Sequence, residues 1–275
     1  MRIGIVAPST PILPDDAEAV RALASLGCPD VELEFDPQCF ATHGHFAGED
    51  GHRFAALVEM ANRPDIDALW FARGGYGACR IAEDAVAAMT DIARAKAFLG
   101  YSDQGNLLGA LYRDGFDHVA HGPMVADVRR EGGDAAVLRA LDWLVARDPG
   151  ACESGLEHGA RHAAFNLMTL SMLLGTPLEP DLAGHVLLVE EVSEYLYAFD
   201  RAFFHVATYL GPRGLAGIRL GRVSDVREND RPFGLEAEEI AQGWCARCDI
   251  PYLGPADIGH DAANKVVPFG LHRAG

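Results

Sequence analysis

Along the first half of the chain, short apolar runs alternate with stretches whose apolar residues recur every three or four positions. Ile3 to Ala7 is a continuous apolar run closed by Pro8-Ser9-Thr10-Pro11, which predicts a buried strand and a turn, and Asp15 to Leu26 follows with helical spacing and acidic residues in its first turn. The pattern repeats. Val31, Leu33 and Phe35 alternate as a strand, Gly51 to Ala61 is helical, and Ile66 to Phe71 is a further strand broken only by Asp67. Strands alternating with helices imply a mostly parallel sheet, whose ligand sites lie beyond the carboxyl ends of its strands.

The pattern is sharpest at Ala97 to Asp103, with the helix after it. An apolar run, Ala97-Phe98-Leu99, stops at Gly100, Ser102 follows, and Leu107, Leu108, Leu111 and Tyr112 recur at helical spacing. Strand, sharp turn and helix would hold the Ser102 hydroxyl at the carboxyl edge of a sheet beside the positive end of a helix dipole, where a nucleophile belongs. A plain helix N-cap is the competing reading of the same serine.

After a short strand at His118 to Ala120 comes His121-Gly122-Pro123-Met124, read as a turn with a solvated histidine, and Asp134 to Ala146 is an amphipathic helix. The polar, aperiodic stretch that follows predicts a linker, 149–163, between an amino-terminal domain, 1–148, and a carboxyl-terminal domain, 164–275. The second half reads as a helix from Phe165 to Leu174, a strand from His185 to Val189 ending in Glu190-Glu191, a helix from Asp200 to Leu210, a strand from Leu215 to Val223 and a helix from Leu235 to Ala246.

At 275 residues and 49% hydrophobic content the chain can bury a sizeable core without staples, and a formal net charge of −17 argues against nucleic acid and anionic membrane surfaces as partners. The six cysteines show no disulfide rhythm, and no apolar run has the length of a signal peptide core or a membrane span, so a cytoplasmic protein is expected.

Few residues outside Ser102 invite chemistry. Arg73-Gly74-Gly75-Tyr76-Gly77 continues a strand, and its glycines suit a phosphate cradle, an oxyanion hole or a plain tight turn; the Lys-Ser/Thr of a P-loop and the spacing of a dinucleotide fingerprint are missing. Cys245 and Cys248 form a lone CxxC without partners at ligand spacing, which reads as packed or surface thiols, and His43, His45 and His52 read as solvated. Glu190, Glu191 and Glu194 read ordinarily as a solvated acidic turn, yet Glu190 sits at the carboxyl end of an apolar strand where a carboxylate can orient a histidine, and His260, unremarkable alone, lies in a late loop able to reach across a domain interface.

These segments together resemble the LD-carboxypeptidase family of serine peptidases, which also contains the microcin C immunity proteins. The resemblance rests on GIVAPS at Gly4 to Ser9, RGGYGACRI at Arg73 to Ile81, GYSD at Gly100 to Asp103, HGPM at His121 to Met124, NLMTLSMLLGTP at Asn166 to Pro177, VEEVSEYLYAFDR at Val189 to Arg201, and GH with a later Asn and Pro at Gly259 to Pro268. Two departures, Gln104 after GYSD and Ala164-Phe165 before Asn166, bear on substrate fit. The resemblance implies a flavodoxin-like amino-terminal domain and a smaller β-rich carboxyl-terminal domain, with the site between them. It implies a triad of Ser102 as nucleophile, His260 as general base and Glu190 as the histidine's orienter, backbone N–H groups of Gly75 and Asp103 as oxyanion hole, and substrate binding by Arg73 and Tyr101. The implied reaction removes the terminal D-alanine from L,D-linked murein tetrapeptides in cell-wall recycling, with no metal or other cofactor, and a homodimer is expected. Within the family, cleavage of a peptidyl or acyl-sulfamoyl adenylate is the alternative; outside it, a non-catalytic small-ligand binding module.

Overall fold

The computed structural model describes residues 1–272, so the last three residues of the expected carboxyl-terminal domain lie outside the described residues. In chain order the elements are β1 (Arg2–Val6), α1 (Pro14–Gly27), β2 (Glu32–Phe35), α2 (Asp50–Asn62), β3 (Ala68–Phe71), α3 (Ala82–Ala87), α4 (Asp91–Arg94), β4 (Ala97–Gly100), α5 (Gly105–Arg113), β5 (Val119–His121) and α6 (Gly133–Ala146). Then follow β6 (Arg161–Asn166), α7 (Leu167–Leu173), β7 (His185–Val192), α8 (Leu196–Leu210), β8 (Gly217–Ser224), α9 (Ala237–Arg247), β9 (Tyr252–Pro255), β10 (Val267–Pro268) and β11 (Gly270–Leu271).

The first five strands pair in parallel in the order β5-β4-β3-β1-β2, a flavodoxin-like arrangement, and β10 adds antiparallel to β5. Side chains alternate across this sheet. Ile3, Ile5, Trp70 and Leu99 pack on one face with Val20 of α1 and Val137 and Leu141 of α6, while Val6, Leu69, Phe71 and Phe98 pack on the other with Leu57 of α2 and Leu107 and Leu111 of α5. The second core is continuous with Leu167, Phe199 and Phe203 of α7 and α8, so the two halves share apolar packing. Each such side chain contributes roughly 1.5–3 kcal/mol of burial.

The second sheet runs β11-β6-β7-β8-β9, with β6 to β9 parallel and helices α7, α8 and α9 connecting them, and β11 antiparallel to β6. The chain's end staples the sheets together, because β10 extends the first and β11, two residues on, extends the second.

The helix expected from Phe165 begins two residues later, since Arg161 to Asn166 is strand β6. Asn166 ends the strand and caps the helix, its side-chain Oδ1 accepting from the Thr169 N–H at 3.0 Å. The polar stretch before β6 is held in place. Glu153 is buried, accepts two hydrogen bonds from Arg219 of β8 at 2.7 and 3.0 Å, and takes another from the Asp257 N–H. His121, expected in solvent, is buried and shares a hydrogen bond with Asn264 Oδ1 at 3.2 Å.

Candidate active site

Three loops at the carboxyl ends of β3, β4 and β5 converge on one side of a cavity of about 290 Å³. Ser102 enters it from the turn between β4 and α5. Its φ is +60°, a left-handed conformation that costs a non-glycine residue of order 1–3 kcal/mol and recurs at nucleophile turns. Tyr101, not Ser102, is the residue flanking the 3-10 turn, and no side-chain cap is made there, so the hydroxyl does not serve as an N-cap. The turn is packed tightly: a Cβ at Gly74 would lie 2.9 Å from Ser102 Oγ, and one at Gly100 2.7 Å from the Phe71 ring.

The glycine loop after β3 runs beside this serine. Gly75 has φ +108°, and a Cβ there would meet the Thr10 side chain at 2.5 Å, so only glycine fits. The Asp103 carboxylate is buried and turned away from the cavity, accepting from the Ser9 hydroxyl, the Ala78 N–H and Asn106 Nδ2, which leaves its backbone N–H as the part that borders Ser102.

From the second sheet come the histidine and its carboxylate. His260 lies in the loop between β9 and β10, and its Nδ1 donates to Glu190 Oε2 at 2.6 Å, fixing the tautomer that leaves Nε2 as the acceptor. Glu190 is wholly buried on β7, in space that Gly221 of β8 leaves open, since a Cβ there would lie 3.0 Å from the Glu190 Cβ. Burial disfavours the imidazolium, but the Glu190 carboxylate and its hydrogen bond outweigh that, and the His260 pKa is raised above the ordinary 6.5. His121 nearby is pushed down to about 4 by burial and stays neutral, and Asn264, its partner, also accepts from the Gly259 N–H and so steadies the turn into His260. Ser102 and His260 line the same cavity without a hydrogen bond between them, as is common for a nucleophile and base before substrate tightens the contact.

Glu191 faces the other way. It accepts from Asn166 Nδ2 at 2.7 Å and from the Met168 N–H, both at the start of α7, and from the N–H of its neighbour Val192. Glu194, the third acidic residue of that stretch, is half-buried and stands apart from the cavity.

Three arginines line the cavity, two of which escaped sequence reading. Arg129 is paired with buried Asp16 and Arg130 with Asp127, while Arg73 makes no ion pair among the described residues and donates only to the Pro11 carbonyl, at 3.2 Å. Tyr101 borders the cavity but is buried. Its hydroxyl donates to Asp127 Oδ1 at 2.8 Å and receives from Arg130, and its ring packs on His260 with centroids 4.8 Å apart. The only signal for Arg129 and Arg130 was a pair of basic residues in an acidic chain, which alone suggests nothing. Cys245 is packed in the core and Cys248 is half-buried, both as free thiols.

The site therefore brings together a strained serine, a histidine with a buried carboxylate partner, a glycine loop and a cationic wall. Comparison with known proteins agrees in kind. The family model described as the LD-carboxypeptidase N-terminal domain matches residues 3–122, and that of the LD-carboxypeptidase C-terminal domain residues 161–273. A probable murein peptide carboxypeptidase of Bacillus subtilis is 27% identical over 99% of this chain and 88% of its own length, and a murein tetrapeptide carboxypeptidase of Pseudomonas aeruginosa is 27% identical over 98% and 91%. Among solved structures, muramoyltetrapeptide carboxypeptidase from Oxalobacter formigenes superimposes with a TM-score of 0.77 at 23% identity, covering 98% of this chain and 93% of that one. MccF in complex with glutamyl sulfamoyl guanosine does so at 0.78 and 18% identity, covering 98% and 91%; at these identities both show a shared fold. With both domain descriptions matched in order over most of its length, the chain belongs to the LD-carboxypeptidase family of serine peptidases.

Proposed function

We propose that the protein removes the terminal D-alanine from L,D-linked murein tetrapeptides, with Ser102 as nucleophile, His260 as general base and Glu190 as the residue that orients His260. The observation that carries this reading is the 2.6 Å bond from His260 Nδ1 to the buried Glu190 carboxylate, made by a histidine that shares its cavity with the strained Ser102. His260 Nε2 takes the Ser102 proton as Oγ attacks the scissile carbonyl, and the backbone N–H groups of Gly75 and Asp103 receive the oxyanion. Collapse of the tetrahedral species returns that proton to the departing D-alanine amine. Water, deprotonated by the same histidine, then frees the acyl group from Ser102.

Arg73 is the group we assign to the substrate's terminal carboxylate, since Arg129 and Arg130 already carry carboxylate partners. Tyr101 acts by backing the His260 ring while forming part of the substrate wall. We divide the chain functionally at 149–163, and read it as a cytoplasmic homodimer acting on recycled wall peptides. No helix among the described residues is long and apolar enough to cross a membrane. The sulfamoyl adenylate alternative calls for an open aromatic face for a nucleobase; the rings lining this cavity, Tyr101 and His260, face one another. Incubation with a murein tetrapeptide and mass spectrometry tests the proposal: loss of one alanine is expected, and an unchanged tetrapeptide beside a cleaved sulfamoyl adenylate would replace it.

A further inference from the structure

The glycine loop that carries Gly75 is fixed largely from outside itself. The Thr10 hydroxyl donates to the Gly74 carbonyl at 2.6 Å, Gln104 Nε2 to the Arg73 carbonyl at 2.8 Å, and buried Arg53 to the Gly77 carbonyl at 2.9 Å. Gln104 differs from the others in origin, because it stands two residues after Ser102, in the turn that aims the nucleophile. It is fully buried and does not line the cavity, so this departure from the family pattern acts away from the substrate.

The same Nε2 also donates to Ser9 Oγ at 2.8 Å, and the Ser9 hydroxyl in turn donates a hydrogen bond to the Asp103 carboxylate. One amide group thus joins the loop after β1, the loop after β3 and the nucleophile turn. Its orientation follows from its partners, since the Arg73 carbonyl only accepts and the Ser9 proton is already committed. The amide's Oε1 is left buried with no hydrogen-bond partner, an arrangement that costs stability.

We infer that Gln104 is a positioning residue that sets the spacing between Ser102 and the Gly75 N–H of the oxyanion hole. The inference rests on the proposed roles of Ser102 and Gly75. Displacing the loop by a fraction of an ångström would weaken the contact to the tetrahedral oxyanion and leave ground-state binding through Arg73 nearly as it was.

Gln104→Met keeps the side chain's length, deletes both donated hydrogen bonds and removes the orphaned oxygen. We expect a thermal transition close to the parent's, KM within about threefold, and kcat lower by about ten- to a hundredfold. Affinity for a peptide boronate, whose tetrahedral serine adduct needs the oxyanion hole, should fall by a similar factor, and Gln104→Leu should repeat the result. An unchanged kcat, a lower kcat with undiminished boronate affinity, or a collapsed thermal transition in both variants would each overturn the assignment. Ser102→Ala run in parallel separates the failures. If it still cleaves the tetrapeptide, the serine reading has failed; if it is inert and Gln104→Met is as fast as the parent, only the role of Gln104 has.

Discussion

The two sheet edges that meet at the cavity are built in opposite ways. On the first, the serine turn and the glycine loop are cross-linked to each other and to the loop after β1 by bonds through Ser9, Thr10, Asp103 and Gln104. On the second, the base rides on a loop, held by one carboxylate from β7 and one amide, Asn264, and leaning on the Tyr101 ring of the first edge. The proposed nucleophile and oxyanion donors are therefore set by packing within the first sheet's own edge, whereas the proposed base is set by how the two sheets dock. Changes at the first edge should act on the barrier alone. Changes at the second should act on the barrier and on its pH dependence together.

Ser102 gives the largest contrast. Ser102→Ala should bring tetrapeptide hydrolysis to background with a thermal transition shifted by no more than about 1 kcal/mol in stability, the worth of one exposed polar contact. Ser102→Gly should be equally inert yet more stable than Ser102→Ala by about 1 kcal/mol, because glycine adopts φ +60° without strain. Equal stability of the two, measured by thermal melts, would mean that the elbow stores no strain.

Glu190→Gln comes next, with kcat expected to fall by about 10² to 10⁴, the upper figure being that known for the aspartate of chymotrypsin-like enzymes. The second signature is in pH. Only neutral His260 can act as base, so activity falls with acid through its pKa, which Glu190 raises above 6.5. Removing the carboxylate leaves burial as the main influence, and the acid limb of kcat/KM should move to lower pH. Stability changes in the matching sense: a raised histidine pKa stabilises the fold fully below 6.5 and less as pH rises through the raised value, so Glu190→Gln should lose most in mild acid. A limb that stays put would detach Glu190 from the base. Arg73→Ala, acting through binding, should raise KM by about ten- to a hundredfold with kcat little changed, as loss of a hydrogen bond to a charged group implies; steady-state kinetics checks it, and a kcat loss at constant KM would assign Arg73 to the barrier instead.

How much of this was legible in the sequence follows the same division. Strand periodicity and Gly100-Tyr101-Ser102 located the proposed nucleophile turn, since the strand, turn and helix that define it are contiguous in the chain. Family motifs supplied Glu190 and His260; the residues alone left a solvated acidic turn and an ordinary loop histidine as rivals, because the 70 positions between them are closed only by the fold. Strand β6 was hidden because Ala163-Ala164-Phe165 runs without a break into the apolar positions of α7, and only Asn166 marks the boundary. His121 read as solvent-facing, and the stretch holding Glu153 as a linker, for a related reason: their partners, Asn264 and Arg219, are 143 and 66 residues away.

The smallest effect on activity is expected at the neighbouring carboxylate, and it makes the sharpest test of which face of β7 serves the site. Glu191 accepts three hydrogen bonds, two from the start of α7 and one from the Val192 N–H, and burial, outweighing those bonds, pushes its pKa up to about 7 from the usual 4.5. A carboxyl whose folded pKa is raised stabilises the fold below 4.5, and that contribution drains away as pH rises toward about 7. Glutamine cannot titrate and offers one acceptor oxygen where two are used. Glu191→Gln should therefore be less stable than the parent by about 1–3 kcal/mol in acid, with the gap narrowing across this window and smallest above it. Its kcat should stay within about threefold, since its bonds go to Asn166, Met168 and Val192 and none to His260. Thermal melts on both sides of the window, with tetrapeptide kinetics on Glu190→Gln and Glu191→Gln in parallel, decide the matter: an inert Glu191→Gln beside a fully active Glu190→Gln would assign the orienting carboxylate to the other face of the strand.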